Sequence, residues 1–182
     1  MKTRGDKVLE GIHLKNIFTL EDRENLWELM EKEKGIKEIF HDKQDRVNSS
    51  VVSCLIKKEE ETVGFFLLAK EIINGIYFLD MGIKKEYRNK KIAQAICEEI
   101  IKQSLPEFII AETKVTNIGA NKSLAPYSSL IHNVEDINYY LLDKNRKQEF
   151  LGSPIYDNFI NYCHSEKPKQ YQYIRKLMND KI

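Results

Sequence analysis

A run of basic residues lies between a predicted strand and a predicted helix. Residues 76–83 are IYFLDMGI, an apolar run typical of a strand, and residues 91–103 are KIAQAICEEIIKQ, a pattern that gives a helix one apolar side. The junction carries five cationic side chains: Lys84, Lys85, Arg88, Lys90 and Lys91. The free backbone N–H groups and the positive dipole end at such a helix start favour a phosphate. A solvated basic loop is the alternative interpretation.

A glycine interrupts the same strand one residue before its end. Gly82 lies among apolar neighbours, and a glycine inside a strand often marks a bulge or the close approach of a ligand to the backbone. A local irregularity without a function is the alternative. Because Gly82 and the basic segment lie at the same end of one strand, together they predict a groove that leads from the strand to the helix.

The elements that must position this groove follow from hydrophobic periodicity. Three strands in a meander are predicted over 51–83, and the helix then joins the last of them to a strand at Phe108–Val115. This order predicts a βαβ crossover with a parallel strand pair. The fold class is therefore α/β (α+β), with a mixed, mostly antiparallel central sheet.

The remaining elements are assigned from caps, turns and short apolar runs. Before the meander lie a strand at 14–18, a helix capped by Thr19 with Asp22 and ended by Gly35, and a helix at 36–46. The first two meander strands are at 51–56 and 63–69, joined by a turn at 57–62, and a turn at Asn74-Gly75 leads to the third. A further strand is predicted at 137–142. Residues 117–129 are predicted as a loop with a short helix. The segments 157–163 and 171–178 stay open between helix and strand.

Length and composition restrict the class of protein. The 182 residues, of which 42% are hydrophobic and 31% charged, are typical of one soluble domain spanning 1–182, with a C-terminal part at 116–182 whose elements stay open. A net charge of +1 weighs against nucleic-acid and membrane partners. Three cysteines and four histidines without metal-ligand spacing predict reduced thiols, no metal site and a cytoplasmic location.

The segment after the strand resembles the coenzyme A signature of the GNAT superfamily of N-acetyltransferases. In that signature, a strand ending in an aliphatic residue is followed by Arg-x-x-Gly-x-Gly/Ala at a helix start, and here Ile83 precedes Arg88-Asn89-Lys90-Lys91-Ile92-Ala93. The hairpin with Val63-Gly64-Phe65 also resembles the family's approach to this motif. The resemblance implies a GNAT-like acyl-CoA N-acyltransferase fold, with helices on both faces of the sheet.

One position departs from the family pattern. Lys91 stands where the family usually has its first motif glycine, which lets the backbone pass closely beneath a pyrophosphate. A lysine is compatible with this position if its φ is negative. Its ammonium group either reaches a phosphate or crowds the cofactor. Asn89 tolerates a left-handed conformation, which permits a tight turn nearby.

The resemblance implies a cofactor site and acetyl-CoA as the acyl donor. Backbone groups of Met81 and Ile83 are expected to bond the pantetheine arm and to polarise the thioester carbonyl. Backbone amides of the segment that follows are expected to hold the pyrophosphate; these belong to Arg88, Asn89, Lys90, Lys91, Ile92 and Ala93. Asn121 is assigned to the same cofactor site. The acceptor amine then attacks the thioester directly, and its positioning supplies much of the rate acceleration.

Acid–base groups are assigned from the predicted strands and the family pattern. An attacking amine must lose a proton, and Asp80 and Glu112 lie on the two strands that the helix joins. A solvated carboxylate is the alternative for each. The family often uses a tyrosine after the next strand as the acid for the departing thiolate, and Tyr127 lies near that place, with Tyr139 and Tyr140 as rivals.

The sequence therefore predicts an acetyl-CoA-dependent N-acetyltransferase that acts on a small-molecule or peptide amine. The alternative is a catalytically degenerate CoA-binding or protein-interaction module of the same fold, which Lys91 favours. A nucleic-acid binder that uses the basic segment is disfavoured by the overall charge. The acceptor and the oligomeric state, including a homodimer, stay open.

Overall fold

A seven-stranded sheet organises the part of the chain that the structure, a computed structural model, describes: residues 11–32, 50–70 and 73–165. The strands are β1 (Ile12–Asn16), β2 (Ser50–Lys58), β3 (Glu61–Lys70), β4 (Ile76–Ile83), β5 (Phe108–Lys114), β6 (Ser128–Val134) and β7 (Ile137–Leu142). The helices of these ranges are α1 (Leu20–Lys32), α2 (Ile92–Lys102), α3 (Ile118–Leu124), α4 (Lys147–Leu151) and α5 (Pro154–Cys163), with 3₁₀ turns at Lys85–Tyr87 and Lys144–Arg146.

The sheet is mixed and mostly antiparallel, as the sequence predicts. Its spatial order is β1-β2-β3-β4-β5-β7-β6. The pair β4–β5 is parallel, and the other paired strands of the described sheet are antiparallel. Helix α2 makes the connection between β4 and β5, so the predicted βαβ crossover is confirmed.

Alternating residues along the strands build a hydrophobic core on each face of the sheet. On one side, Leu79 and Ala111 pack against α2, and we call this side the α2 face. On the other side, Leu67 packs with the buried residues of α1, and Phe78 packs with those of α5. Leu67 lies directly opposite Asp80 in the β3–β4 ladder, and Asp80 lies two residues after Phe78, so all three face the same side of the sheet. Helices α1 and α5 therefore cover one face, the α1–α5 face.

The cap of α1 has the predicted chemistry. The Thr19 hydroxyl accepts a hydrogen bond from the Asp22 backbone N–H at 3.1 Å, and the Asp22 carboxylate accepts one from the Thr19 backbone N–H at 3.2 Å. Asp22 is buried and pairs with Lys15 at 2.6 Å. Its pKa is held far below the usual range, first by Lys15 and then by the hydrogen bonds of the cap.

Several boundaries differ from those predicted. Strand β1 begins and ends two residues earlier than 14–18, because Ile12–Asn16 pairs with β2. The turn between β2 and β3 is shorter than 57–62, since Lys58 already pairs with Glu61. Strand β6 is not predicted at all, since its polar sequence is held by pairing with β7. Residues 157–163 belong to a helix, whereas the predictions at Gly35, 36–46 and 171–178 lie outside the described residues.

None of the helices within the described ranges combines the length and apolar character needed to cross a membrane.

Candidate active site

Strands β4 and β5 diverge and form a fork. Their parallel ladder covers only Ile76–Leu79 and Phe108–Ala111. Beyond it, β4 stays paired with β3 as far as Ile83, and β5 stays paired with β7 as far as Lys114. Each strand is therefore held by its outer neighbour, while the ladder between β4 and β5 has ended. The two inner strand edges present backbone groups that an extended ligand can bond.

The two cofactor residues predicted on β4 lie in the open part of the fork. Met81 and Ile83 follow the last paired residue, Leu79, and their partly buried side chains pack toward the α2 face. Their side chains thus fix the strand on the core, while the strand edge faces the fork. Their assignment to the pantetheine arm stays a prediction.

Glycine is needed at this end of the β3–β4 pair, but at Gly64 rather than at Gly82, for which the sequence predicts the close approach. A Cβ added at Gly64 would meet the carbonyl oxygen of Gly82 at 2.5 Å. The register runs without a shift from Gly64 opposite Ile83 to Lys70 opposite Tyr77, so over these described strands the bulge suggested for Gly82 is absent. The close approach of the two backbones depends on Gly64.

The basic loop turns tightly before it enters α2. A 3₁₀ turn over Lys85–Tyr87 is followed by Asn89 at φ +63° and by Lys91 at φ +61°. The left-handed conformation expected to be tolerated at Asn89 is present. The negative φ required for an unstrained Lys91 is not: this lysine holds a left-handed conformation that costs a residue with a Cβ about 1–2 kcal/mol.

The first turn of α2 meets the loop at the end of β4. Lys91 is the N-cap residue and makes no side-chain capping hydrogen bond within the described residues, while its carbonyl accepts from the Ala95 N–H at 3.0 Å. The backbone N–H groups of Ile92 and Ala93 belong to the first turn, which lacks acceptors within its own helix. Arg88 Nε donates to the Ile83 carbonyl at 2.9 Å, which ties the loop to the end of the strand. Residues 88–93 thus lie together beside the fork.

Two carboxylates lie where the fork opens. Asp80 and Glu112 each follow the last residue of their strand in the β4–β5 ladder. Each lies two residues after a core residue of the α1–α5 face, so both belong to that face. Asp80 is 5% exposed, and Glu112 is partly buried opposite Tyr139 of β7. Burial, and secondarily the Glu112 charge, raises the pKa of the Cys163 thiol to about 12. The structure therefore brings the two candidate bases to equivalent places on one face.

Tyr127 lies on the other side of the sheet from these carboxylates. It follows α3, packs with the residues of the α2 face, and its hydroxyl donates to Glu98 of α2 at 2.5 Å. Its backbone carbonyl accepts from the Asp143 N–H at 3.0 Å, just after β7 ends. The structure does not bring Tyr127 together with Asp80 and Glu112, and its role as the acid stays a prediction.

The side chain of Asn121 is engaged within the protein. Its carbonyl oxygen accepts from the Thr113 hydroxyl at 2.6 Å and from the Asn138 amide at 3.2 Å. Its amide nitrogen donates to the carbonyls of Asn117, Lys114 and Val115 at 2.8, 3.0 and 3.2 Å. These bonds tie the end of β5 to α3 and β7, so Asn121 helps to hold one arm of the fork. Its assignment to the cofactor stays a prediction.

Two histidines that are far apart in the sequence meet at the edge of the sheet. Nε2 of His132 on β6 lies 3.3 Å from Nε2 of His164, just after α5. Burial, and then the neighbouring His164, lowers the pKa of His132. In the part of the chain that the structure describes, no cluster of three or more His, Cys, Asp or Glu side chains could hold a metal ion.

The fold has counterparts among solved structures. The RimL ribosomal L7/L12 alpha-N-protein acetyltransferase in complex with coenzyme A is 15% identical, with a TM-score of 0.56 over 75% of this chain and 97% of that one. The spermidine N-acetyltransferase from Vibrio cholerae is 11% identical, with a TM-score of 0.58 over 75% and 95%. The chain has the GNAT fold.

A third structure with the GNAT fold is the Campylobacter jejuni N-acetyltransferase PseH in complex with acetyl coenzyme A. It is 16% identical, with a TM-score of 0.50 over 73% of this chain and 99% of that one. No protein-family model matches the chain, and no curated protein matches its sequence. The likeness therefore concerns the GNAT fold, and the assignment of residues within it depends on the geometry described above.

Two acidic residues, one on β3 and one on α2, make contacts that the sequence does not predict. Glu61 contacts Lys84 and Tyr87 of the basic loop, and Glu98 contacts Tyr127. The two tyrosine contacts span 26 and 29 residues of sequence. In a polar turn or on the outer side of a helix, the local sequence around a glutamate that bonds to a distant residue is the same as that around a glutamate exposed to solvent.

Proposed function

We propose that this chain is an acyl-CoA-dependent N-acyltransferase that transfers an acetyl group from acetyl-CoA to a primary amine. The observation that carries the proposal is the fork of β4 and β5 beside the loop that enters α2. An extended arm with a phosphate group at one end requires an open strand edge that leads to a cluster of N–H groups and cations. The fork and the basic loop supply both features.

The described residues offer backbone and cationic groups that suit coenzyme A. The strand edge at Met81 and Ile83 would bond the pantetheine arm, and the N–H groups of residues 88–93 would bond the pyrophosphate. Lysine and arginine side chains of the loop add charge-assisted contacts to phosphate. Among the described residues of the loop, Lys91 opposes this binding, because its Cβ and strained φ stand where the family has a glycine.

Acetyl-CoA supplies an activated thioester, and the rest of the reaction depends on groups of the chain. A backbone N–H in the fork polarises the thioester carbonyl, and the walls of the fork hold the amine close to it. As the new C–N bond forms, Asp80 or Glu112 takes the proton that the attacking amine loses, directly or through a water molecule. The carbonyl C–S bond then breaks, and CoA leaves as a thiolate that takes up a proton to give the free thiol. Both carboxylates face the α1–α5 side, so the acceptor enters from that side.

The acceptor is a primary amine on a small molecule or a peptide. The names of the similar structures include a protein alpha-amine acetyltransferase and a spermidine acetyltransferase, so the same fold serves both kinds of acceptor. Loops around the fork select between them, and no residue of the described ranges assigns the choice.

A module that binds CoA without catalysis is the second candidate. Two observations favour it: Lys91 is strained at the motif position, and Tyr127 is bonded to Glu98 away from the carboxylates. Such a module would bind the cofactor or a protein partner and release no thiol from acetyl-CoA.

Ligand-induced stabilisation and thiol release test the proposal together. Acetyl-CoA and free CoA at about 100 times Kd should raise the melting temperature by about 5–10 °C, while AMP, which lacks the pantetheine arm, should have a smaller effect. Thiol release from acetyl-CoA should then depend on an added amine from a panel of diamines, amino sugars and peptides. A cofactor-induced shift without thiol release would favour the binding module. If neither acetyl-CoA nor free CoA shifts the melting temperature, both the transferase and the CoA-binding module are overturned, and only a module that binds a protein partner is left.

A further inference from the structure

The side chain of Glu61 joins the β2–β3 turn to the basic loop. Its Oε1 accepts from the Lys84 ammonium at 2.9 Å, and its Oε2 accepts from the Tyr87 hydroxyl at 2.7 Å. Both distances are those of good hydrogen bonds, and the ammonium contact is charge-assisted. One carboxylate thus holds the residue before the 3₁₀ turn and the residue that ends it.

The contact continues along the loop through the ring of Tyr87. The Lys90 ammonium lies 4.7 Å from the ring centroid, and the Lys58 ammonium, from the end of β2, lies 5.7 Å from it. Cations at these distances are attracted by the face of an aromatic ring. The Lys84 backbone N–H also donates to the Val63 carbonyl at 2.9 Å. The anchoring by β2 and β3 therefore reaches Lys90, the residue before the α2 N-cap.

The charges of this cluster support one another at neutral pH. Lys84, and then Tyr87, lowers the pKa of Glu61, so the carboxylate is ionised. Glu61 in turn raises the pKa of Tyr87, so the phenol keeps the proton that it donates. Lys84 is thereby used for anchoring the loop, although the sequence places it among the cations available to a phosphate.

We propose that Glu61 is a positioning residue that holds the basic loop in the shape required by the cofactor pyrophosphate. The inference rests on the proposed function. The loop needs such a support because Asn89 and Lys91 both hold left-handed conformations, which persist only when the surrounding structure maintains them. A loop that is already ordered before binding loses less conformational entropy when the ligand arrives.

Variants of Glu61 and Tyr87 test the proposal by their effect on cofactor affinity. Glu61→Ala and Tyr87→Phe should each raise the Kd for CoA about three- to tenfold, the effect of losing one or two hydrogen bonds that position the site. The double variant should be little worse than Glu61→Ala alone, because both residues act through the same contact. At saturating acetyl-CoA, the KM for the acceptor should stay unchanged.

The matched control is Glu60→Gln, at an exposed position in the same turn. This variant also removes one negative charge from the turn, but it leaves the contacts of Glu61 with Lys84 and Tyr87 in place. Its Kd for CoA should therefore equal that of the wild type. Melting temperatures of all variants should stay close together, since Glu61 is a half-exposed surface residue. A loss of affinity that follows a loss of folding stability would therefore overturn the positioning role.

The remaining outcomes separate this inference from the proposed function. If the wild type binds CoA and Glu61→Ala binds it equally well or more tightly, Glu61 is only a negative charge near the phosphate, and the inference is wrong. If the wild type does not bind CoA at all, the proposed function fails and the inference fails with it. Weaker binding by Glu61→Ala and Tyr87→Phe, with an unchanged Glu60→Gln control, supports both.

Discussion

Asp80 and Glu112 occupy equivalent positions on β4 and β5, each one residue beyond the last paired residues, Leu79 and Ala111. Both therefore lie at the branch point of the fork and face the same side of the sheet. A proton acceptor at a branch point is adjacent to any ligand that separates the strands. This relationship gives the two carboxylates a stronger claim to acid–base chemistry than either has from its position in the sequence.

Neutral, nearly isosteric substitutions at the branch point should separate binding from chemistry. The two variants are Asp80→Asn and Glu112→Gln. The one that replaces the catalytic base should lower kcat by about 10²–10⁴-fold and leave the Kd for acetyl-CoA unchanged. Steady-state kinetics and calorimetry measure the two quantities. Asp136→Asn, at the exposed β6–β7 turn, is the control and should retain full activity. Full activity in both branch-point variants would remove the carboxylates from the mechanism.

Replacement of Lys91 by glycine should stabilise the protein. Glycine adopts φ +61° without the strain imposed by a Cβ, so the melting temperature should rise by about 2–4 °C for a relief of about 1 kcal/mol. Lys91→Ala removes the charge but keeps the strain and is the matched comparison. If Lys91→Gly binds CoA more tightly and Lys91→Ala does not, the Cβ obstructs the cofactor. If both bind it more weakly, the ammonium contacts a phosphate. A destabilised Lys91→Gly would contradict the strain argument.

Replacement of Gly64 by alanine should disturb the fork. The added Cβ would lie 2.5 Å from the Gly82 carbonyl oxygen, so β3 and β4 must move apart, at a cost of about 1–3 kcal/mol. Chemical denaturation measures the loss. Gly119→Ala in α3 is the control, because its nearest neighbour would be 3.9 Å away and alanine favours a helix. Equal stability of the two variants would show that the strands tolerate the methyl group.

The His132–His164 contact should make folding stability depend on pH. The pKa of His132 is lowered in the folded state, chiefly by burial, so the unfolded chain binds a proton more readily. Stability should therefore fall as the pH drops below about 6.5, the pKa of an unperturbed histidine. His132→Asn should flatten this slope in melting curves between pH 7 and 5. His13→Asn, at an exposed position on β1, should leave it unchanged. An identical slope in both variants would assign the pH dependence to other groups.

Local patterns predicted β4 and α2, which position the site, but they did not predict β6, the strand that pairs with β7. The bounds 76–83 for β4 agree with the structure, and the amphipathic stripe of α2 differs at its ends by one residue. Both elements have a strong period of their own, and the Thr19–Asp22 cap is equally local. Strand β6 has no such signal, because Ser128 and Asn133 belong to a polar segment that becomes a strand only through pairing with β7.

The sequence by itself determined the order of the elements from β2 to β5, the parallel crossover, the basic loop and the resemblance to the GNAT motif. These features depend on residues close together in the chain, where spacing and propensity act directly. Only the tertiary structure decided where β4 and β5 part, that Asp80 and Glu112 share one face there, and that Tyr127 bonds to Glu98. It also decided that Glu61 anchors the loop. Such contacts join residues that are distant in sequence, and they form because the packed core fixes the separation and facing of whole elements.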